Sequence, residues 1–319
     1  MADPYIGALV KQRFEILQPI GQGAMGAVYV ASDADGGQVA LKLLREQDDQ
    51  MRAPERFLRE VRLLKQLVHP NVVQFVDAGF DPTIGTVFYA MELVSGDTLS
   101  RLTARGRVRP ALALTIARQT AEGIGAAHEL GVVHRDIKPG NLMLVPREDG
   151  TVRLKILDFG LAFVDSERRL TDMGSAPGTV SYMSPEQLQG KVPDRRADLY
   201  GLGVLLFETL TGHPPFPGAT QVEIAVDVLR RPAVGLGELL PDLPPRFAEL
   251  VARLLAKDRD ERPPSAEAVV DELAAIQRES GLRPPTVSHM GPSADPASAW
   301  RLASQIPMEF IRPEPATGA

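Results

Sequence analysis

The 319-residue chain carries a formal net charge of −6 and is 44 % hydrophobic. That length suits one large bilobal domain or two domains with a full core, and the acidic balance provides no general basic field for nucleic acid. With no cysteine, a disulfide scaffold, a thiolate zinc site and a cysteine nucleophile are all excluded. The opening "MADPYIGALVKQRF" lacks the apolar core of a secretory signal. The most apolar stretch, residues 199–212, is too short for a bilayer and contains Glu208. The expectation is a soluble, cytoplasmic protein without direct membrane insertion.

In chain order, residues 1–12 read as an N-terminal extension. "RFEILQPI" (13–20) reads as a strand entering a glycine-rich turn. "GAVYVASD" (26–33) and "GGQVALKLL" (36–44) continue as strands around an Asp-Gly turn signal. "PERFLREVRLLKQL" (54–67) places Phe57, Val61, Leu64 and Leu67 at helical spacing. His69-Pro70 terminates that helix. Strands follow at 71–79 and 86–94. From about residue 97 the pattern turns helical, with amphipathic stretches at 111–130, 248–258 and 265–279, where Ser265 is a natural N-cap. The stretch 197–212 is apolar on nearly every side and reads as a buried core helix. Residues 281–319 shift to Pro, Ser and Ala, the composition of a mostly disordered tail. Asp295-Pro296 can start a short helix over about 296–305. The only tryptophan, Trp300, lies there. The order is therefore a β-rich lobe and then an α-rich lobe.

Three local features raise chemical questions. "GQGAMGAVYV" (21–30) contains G-x-G-x-x-G, but Val28, Tyr29 and Val30 continue a strand where a dinucleotide fingerprint needs a helix. It is equally a plain glycine hairpin or a flap whose amides lie over phosphates. Lys42 sits among aliphatic residues in "VALK"; it either snorkels from an edge or faces an anion, for which Glu60 and a phosphate are candidates. "VVHRDIKPGNLML" (132–144) crowds five polar side chains between two aliphatic runs that read as short strands, and buried polar groups are costly without partners.

The order of these features resolves them. The glycine flap, the strand lysine and the helical Glu60 precede "HRDIKPGN" (134–141), "DFG" (158–160), "GTVSYMSPE" (178–186) and "DLYGLG" (198–203). Over roughly residues 13–276 this set resembles the protein-kinase signature, most closely that of the bacterial eukaryotic-like (Hanks-type) serine/threonine kinases. The resemblance implies an α+β, bilobal protein-kinase fold. Its N-lobe (about 13–94) would be β-rich with one key helix, its C-lobe (about 95–280) α-helical, and the kinase domain would span 13–280. The implied cofactors are ATP and Mg²⁺, with Mn²⁺ as the alternative.

The roles follow by resemblance. Asp136 would orient the substrate hydroxyl and accept its proton, and Lys138 would lie by the transferring phosphoryl group. Asn141 and Asp158 would bind the metal, and Lys42, positioned by Glu60, would hold the α- and β-phosphates. The flap residues Ile20, Gly21, Gln22, Gly23, Ala24, Met25 and Gly26 would cover the nucleotide. Val28 and Ala40 above and Met143 below would sandwich the base. Met91 would limit the pocket, and the backbone of Glu92 and Val94 would bond adenine. Lys138 and Thr179 imply Ser/Thr rather than Tyr specificity.

Support roles are implied for the pair Glu186 and Arg262, for Asp198 on the catalytic loop, and for a stack of Leu64, Phe75, His134 and Phe159. Arg135 implies activation by a phosphate, with Thr171 first and Ser175 second as autophosphorylation sites. Ser184 replaces Ala in the usual A-P-E. A lengthened hairpin at 145–153, turning at Asp149-Gly150, has no assigned purpose. Protein substrates and a kinase–kinase dimer for trans-autophosphorylation are the implied partners, with no nucleic acid. Two alternatives stand beside an active kinase. A pseudokinase scaffold is disfavoured by the presence of Lys42, Glu60, Asp136, Asn141 and Asp158. A small-molecule kinase is disfavoured by the "SPE" anchor and the full flap.

Overall fold

The computed structural model describes residues 3–23, 26–44, 61–159 and 179–283. The first part of the expected 54–67 helix and the tail from 284, with Trp300, lie outside the described residues.

A six-stranded antiparallel sheet builds the first lobe. Its strands are β1 (Leu9–Val10), β2 (Phe14–Gly23), β3 (Gly26–Asp33), β4 (Gln38–Leu44), β5 (Phe75–Asp81) and β6 (Thr86–Glu92), in the order β1-β2-β3-β4-β6-β5. The β-branched and aromatic residues of β3 and β4 alternate across the pleat and feed two apolar layers. One layer holds Phe14, Ile16, Tyr29, Leu41 and Phe88; the other holds Ile20, Val30, Ala40 and Met91. The sheet begins at Leu9, inside the stretch read as an extension, because Val10 is fully buried in the first layer and pairs with Phe14. Helix α1 is described over residues 61–66 and buries Val61 and Leu64.

The strand expected from residue 71 starts only at Phe75. Residues 71–74 are used elsewhere: Ile156 N–H donates to Asn71 O (2.8 Å) and Val73 N–H to Ile156 O (2.9 Å). The segment therefore crosses to the second lobe instead of extending the sheet.

The second lobe opens with β7 (Asp97–Thr98) and α2 (Leu99–Thr103), then α3 (Pro110–Glu129). Pro110 sits at the first helical position of α3, where its missing N–H costs nothing. The hairpin β8 (Leu142–Pro146) and β9 (Val152–Ile156) joins β7 in a three-stranded sheet. Gly150 takes φ +76° in its turn, and Asp149 accepts from the Thr151 amide at 2.9 Å. The run before the polar cluster, Val132-Val133, is not a strand. The Val132 amide closes the end of α3 on Ala127 O, and the amides of His134 and Arg135 go to a side chain described below.

The remaining helices are α4 (Pro185–Leu188), α5 (Arg196–Thr211), α6 (Gln221–Arg230), α7 (Leu236–Leu239), α8 (Pro245–Leu254) and α9 (Ala266–Ser280). Helix α5 is buried around its circumference, and its leucines each contribute about 2 kcal/mol of burial. A Cβ on Gly203 would stand 2.8 Å from the Leu254 side chain, so the α5–α8 approach requires glycine. Ser265 caps α9, accepting from Ala268 N–H at 3.2 Å.

Charge pairs tie the lobe surfaces. Arg13 grips Asp33 through two 2.7 Å bonds, which hold the Asp33 carboxyl below its usual range against the opposing effect of burial. A carboxylate whose pKa is depressed by folding adds stability above its unfolded pKa and loses it as pH falls through the folded value. Asp33→Asn should therefore lower the melting temperature at pH 7. The deficit should persist through the ordinary carboxylate range and close only at more acid pH, as the depressed Asp33 carboxyl finally takes up a proton and both forms become neutral. A deficit that persists unchanged into acid would contradict the ion-pair account.

Candidate active site

The cluster at 134–141 is organised from beneath by a buried carboxylate. Asp198, on the first turn of α5, accepts from the amides of His134 (2.8 Å, Oδ2) and Arg135 (2.6 Å, Oδ1). His128 of α3 adds its Nε2 at 2.8 Å, so Nε2 carries the ring proton; Nδ1 is buried without a partner. Arg135 takes φ +65°, a conformation uncommon outside glycine, which the two amide bonds secure.

His134 is fully buried and uses both ring nitrogens. Nε2–H donates to Leu157 O at 2.8 Å, and Nδ1 accepts the Asp136 amide at 3.2 Å. Leu157 N–H returns to Asn141 O at 2.8 Å. The loop 134–141 and the segment before Asp158 are thus stitched in both directions. The ring of His134 meets Phe159 edge-on at 4.5 Å. Leu64, Phe159 and, at its edge, Phe75 lie in the same apolar core, as the expected stack requires.

The chemical groups converge on this frame. The Asp136 carboxylate receives Lys138 Nζ at 2.8 Å and Asn141 Nδ2 at 3.0 Å. Asp158, at φ +57°, receives Lys42 Nζ at 3.0 Å on Oδ2, while its Oδ1 is buried without a partner. Lys42 is itself buried, on β4 opposite Val28. Glu60, its expected positioner, lies outside the described residues; the partner that is described is Asp158.

Above the charged groups, Ile20, Ala40, Met91, Val94 and Met143 share one apolar cluster with Val28 at its edge. Leu157 joins it, a residue the motif reading missed although it directly precedes "DFG". Gly21, Gln22, Gly23 and Gly26 form a β2–β3 hairpin in register Gly21↔Val28, Gln22↔Ala27 and Gly23↔Gly26. Ala24 and Met25 lie outside the described residues. Gly26 takes φ +150°, and a Cβ there would sit 2.0 Å from Leu43 O, so the flap can approach β4 only with glycine. Glu92 N–H is spent on Gln74 O at 2.8 Å, which leaves the carbonyl as the backbone group that Glu92 can offer a base.

The segment after residue 179 is anchored at both ends. Ser184 forms a capping box with Gln187, whose Nε2 also reaches Arg135 O at 3.0 Å. Glu186 and Arg262 form a buried two-pronged pair at 2.7 and 2.9 Å. Arg262 also donates to the carbonyls of Ala256, Arg196 and Lys257, so its burial leaves few donors unmet. Tyr182 donates its hydroxyl to Glu208, a contact absent from the motif reading. Burial pushes the Glu208 carboxyl above its ordinary range in spite of that bond. Thr171 and Ser175 lie outside the described residues.

Against known proteins, the protein kinase domain model matches residues 14–273. The chain is 37 % identical over 281 residues to the DNA damage-responsive serine/threonine-protein kinase RqkA of Deinococcus radiodurans, covering 86 % of this chain and 41 % of that one. It is 37 % identical over 265 residues to the serine/threonine-protein kinase PrkC of Bacillus subtilis, covering 82 % and 40 %. It is 34 % identical over 302 residues to the serine/threonine-protein kinase PknA of Mycobacterium tuberculosis, covering 93 % and 68 %. The chain thus spans about two fifths of the length of the first two relatives. Among solved structures, the kinase domain of M. tuberculosis PknI superposes with a TM-score of 0.67 at 26 % identity, covering 86 % of this chain and 98 % of that one. Among the described residues no helix is long and apolar enough to cross a membrane.

Asp198 uses both oxygens on buried amides, so even the isostere is not neutral: in either orientation, an Asn places its NH₂ against one of two N–H groups. Asp198→Asn should cost about 2–3 kcal/mol in urea unfolding. An unchanged midpoint would show that the loop is held by other contacts.

Proposed function

The chain belongs to the protein kinase family, and on that premise we propose that it is a serine/threonine protein kinase that transfers the γ-phosphoryl group of ATP to protein hydroxyls. The observation that carries this reading is a pair of charged sets, Lys42 with Asp158 and Asp136 with Lys138 and Asn141, on two segments stitched together by Leu157 N–H on Asn141 O and His134 Nε2–H on Leu157 O. Phosphoryl transfer asks for alignment and charge neutralisation more than for covalent help.

In this reading the apolar cluster of Val28, Ala40, Met91 and Met143 takes the adenine ring, the Glu92 carbonyl and the Val94 backbone bond its edge, and the Ile20–Gly26 flap covers the phosphates. Lys42 offers its ammonium to the phosphate oxygens. Asp136 receives the proton of the incoming Ser or Thr hydroxyl as that oxygen bonds to the γ-phosphorus and the bridging oxygen leaves with ADP. Lys138, already at the Asp136 carboxylate, sits where the transferring phosphoryl's charge needs a cation.

A divalent ion fits the donors present. The buried Asp158 Oδ1 lacks a partner, and Asn141, its amide nitrogen spent on Asp136, has Oδ1 left to give. Two oxygen donors beside a phosphate chain suit Mg²⁺, or Mn²⁺ in its place. When bound, the ion would neutralise charge on the phosphate oxygens.

The domain is proposed to span 13–280, with an N-terminal extension whose Leu9–Val10 strand adds to its first sheet and with 281–319 as a tail. Its partners are Ser/Thr-bearing proteins and, for trans-autophosphorylation, a second copy. Arg135 would meet a phosphate on the activation segment, Thr171 first and Ser175 second.

Two measurements test this. Mg·ATP turnover on the kinase itself and on a generic basic protein should fall about 10²–10⁴-fold in Asp136→Asn. Equal incorporation by the variant would refute the assignment and favour a scaffold role. Phosphosite mapping of wild-type protein should find Thr171 modified and the variant bare; an active preparation unmodified at Thr171 would overturn that site.

A further inference from the structure

Lys155 has no place in the motif set, yet it is held at the centre of the lobe junction. It lies on β9, three residues before Asp158, and its register partner across the hairpin is Met143, the proposed floor of the base pocket. Its Nζ donates to Glu92 Oε2 at 2.8 Å and to Val72 O at 3.2 Å. The same Glu92 oxygen accepts the Gln74 amide at 3.0 Å, while Glu92 N–H donates to Gln74 O at 2.8 Å. One ammonium thus joins the end of β6, the 71–74 crossing segment and the strand that leads to Asp158.

The surroundings make this more than a surface pair. The Lys155 side chain is 13 % exposed and that of Glu92 36 % exposed. Screening by water is therefore partial, and the cation is fixed by two acceptors of different segments. Glu92 is where a base would find its first backbone acceptor, and Asp158 is where the phosphates would find their metal ligand. A tie between these two points sets how far apart the base end and the phosphate end of the site stand.

We propose that Lys155 is a positioning residue for the nucleotide: by pinning Glu92 and Val72 to β9 it fixes the hinge carbonyl relative to Asp158, so that the lobes bind ATP without first having to order the hinge. This rests on the kinase reading above. It adds that part of the ATP affinity resides in a residue that need not touch ATP. The Lys155 ammonium is engaged with Glu92 and Val72 rather than with the hydroxyl-activating Asp136 frame, so the chemical step itself is largely spared.

The test compares wild type with Lys155→Met and Lys155→Arg. In Lys155→Met, KM for ATP should rise about three- to tenfold with kcat within twofold, since the interaction serves binding rather than the transition state. Lys155→Arg should restore KM, because a guanidinium reaches the same carboxylate. Without nucleotide, hydrogen exchange at the Gln74 and Glu92 amides should speed up severalfold in Lys155→Met and not in Lys155→Arg. If Lys155→Met proves insoluble, Lys155→Gln gives the same comparison. An unchanged KM, a fall in kcat alone, or failure of the Arg variant to rescue would each overturn the proposal. Absence of turnover in wild type would instead refute the kinase reading, while the exchange comparison would still judge the tie.

Discussion

A carboxylate buried in the middle of a protein must be matched or it destabilises the fold. Asp198 is matched by two backbone amides and a histidine, and most of the site's order follows from that match. Helix α5 is buried on every side, so the carboxylate it presents cannot move. The amides of His134 and Arg135 are drawn to it, and Arg135 is held at positive φ. With the backbone turned there, His134 points into the core toward Leu157 while Asp136 faces outward beside Lys138 and Asn141. Asp158 follows Leu157 directly, also at positive φ. One buried charge therefore indexes two loops that are more than twenty residues apart in sequence.

The second organising fact is segregation. The apolar cluster around Ala40, Met91 and Met143 and the charged groups around Asp136 and Asp158 meet along the same strands. Lys42 lies two residues beyond Ala40 on β4, and Asp158 lies just past β9, whose partner strand carries Met143. Alternation along a strand places both kinds of side chain on one face at a two-residue interval. A molecule with a flat apolar end and a polyanionic end matches such a surface, and ATP is of that form. The lobes that supply the two halves are linked by the 90s connection and by residues 71–74, which leave the first sheet to bond β9.

What could be read from sequence divides by the range of the interaction. Asp136, Lys138, Asn141 and Asp158 stand in short motifs whose residues meet locally, so their convergence was legible. The strand start at Phe75 was not, because the valine-rich run 71–76 reads as continuous strand and only the bonds of Asn71 and Val73 to Ile156 take its first residues out of the sheet. Val132-Val133 failed for a similar reason: an aliphatic pair cannot reveal that the next amides are claimed by a side chain 64 residues later. Ser184 looked like an exchange for alanine and is a helix cap, a role its position before Pro185 and three residues ahead of Gln187 could have signalled. Lys155, His128 and the Tyr182–Glu208 bond carry no local signature. Each is one charged or polar residue whose partner is distant in sequence.

In the proposed function this frame holds a nucleotide's phosphates between Lys42 and a metal on Asp158 and Asn141. Nucleotide affinity measured with and without Mg²⁺, in wild type and in Asp158→Asn, tests it most directly. Mg²⁺ should tighten ATP binding to the wild-type protein, and Asp158→Asn, folded to the same extent, should lose most of that tightening. ATP affinity indifferent to Mg²⁺, or a Mg²⁺ effect of equal size in Asp158→Asn, would contradict it.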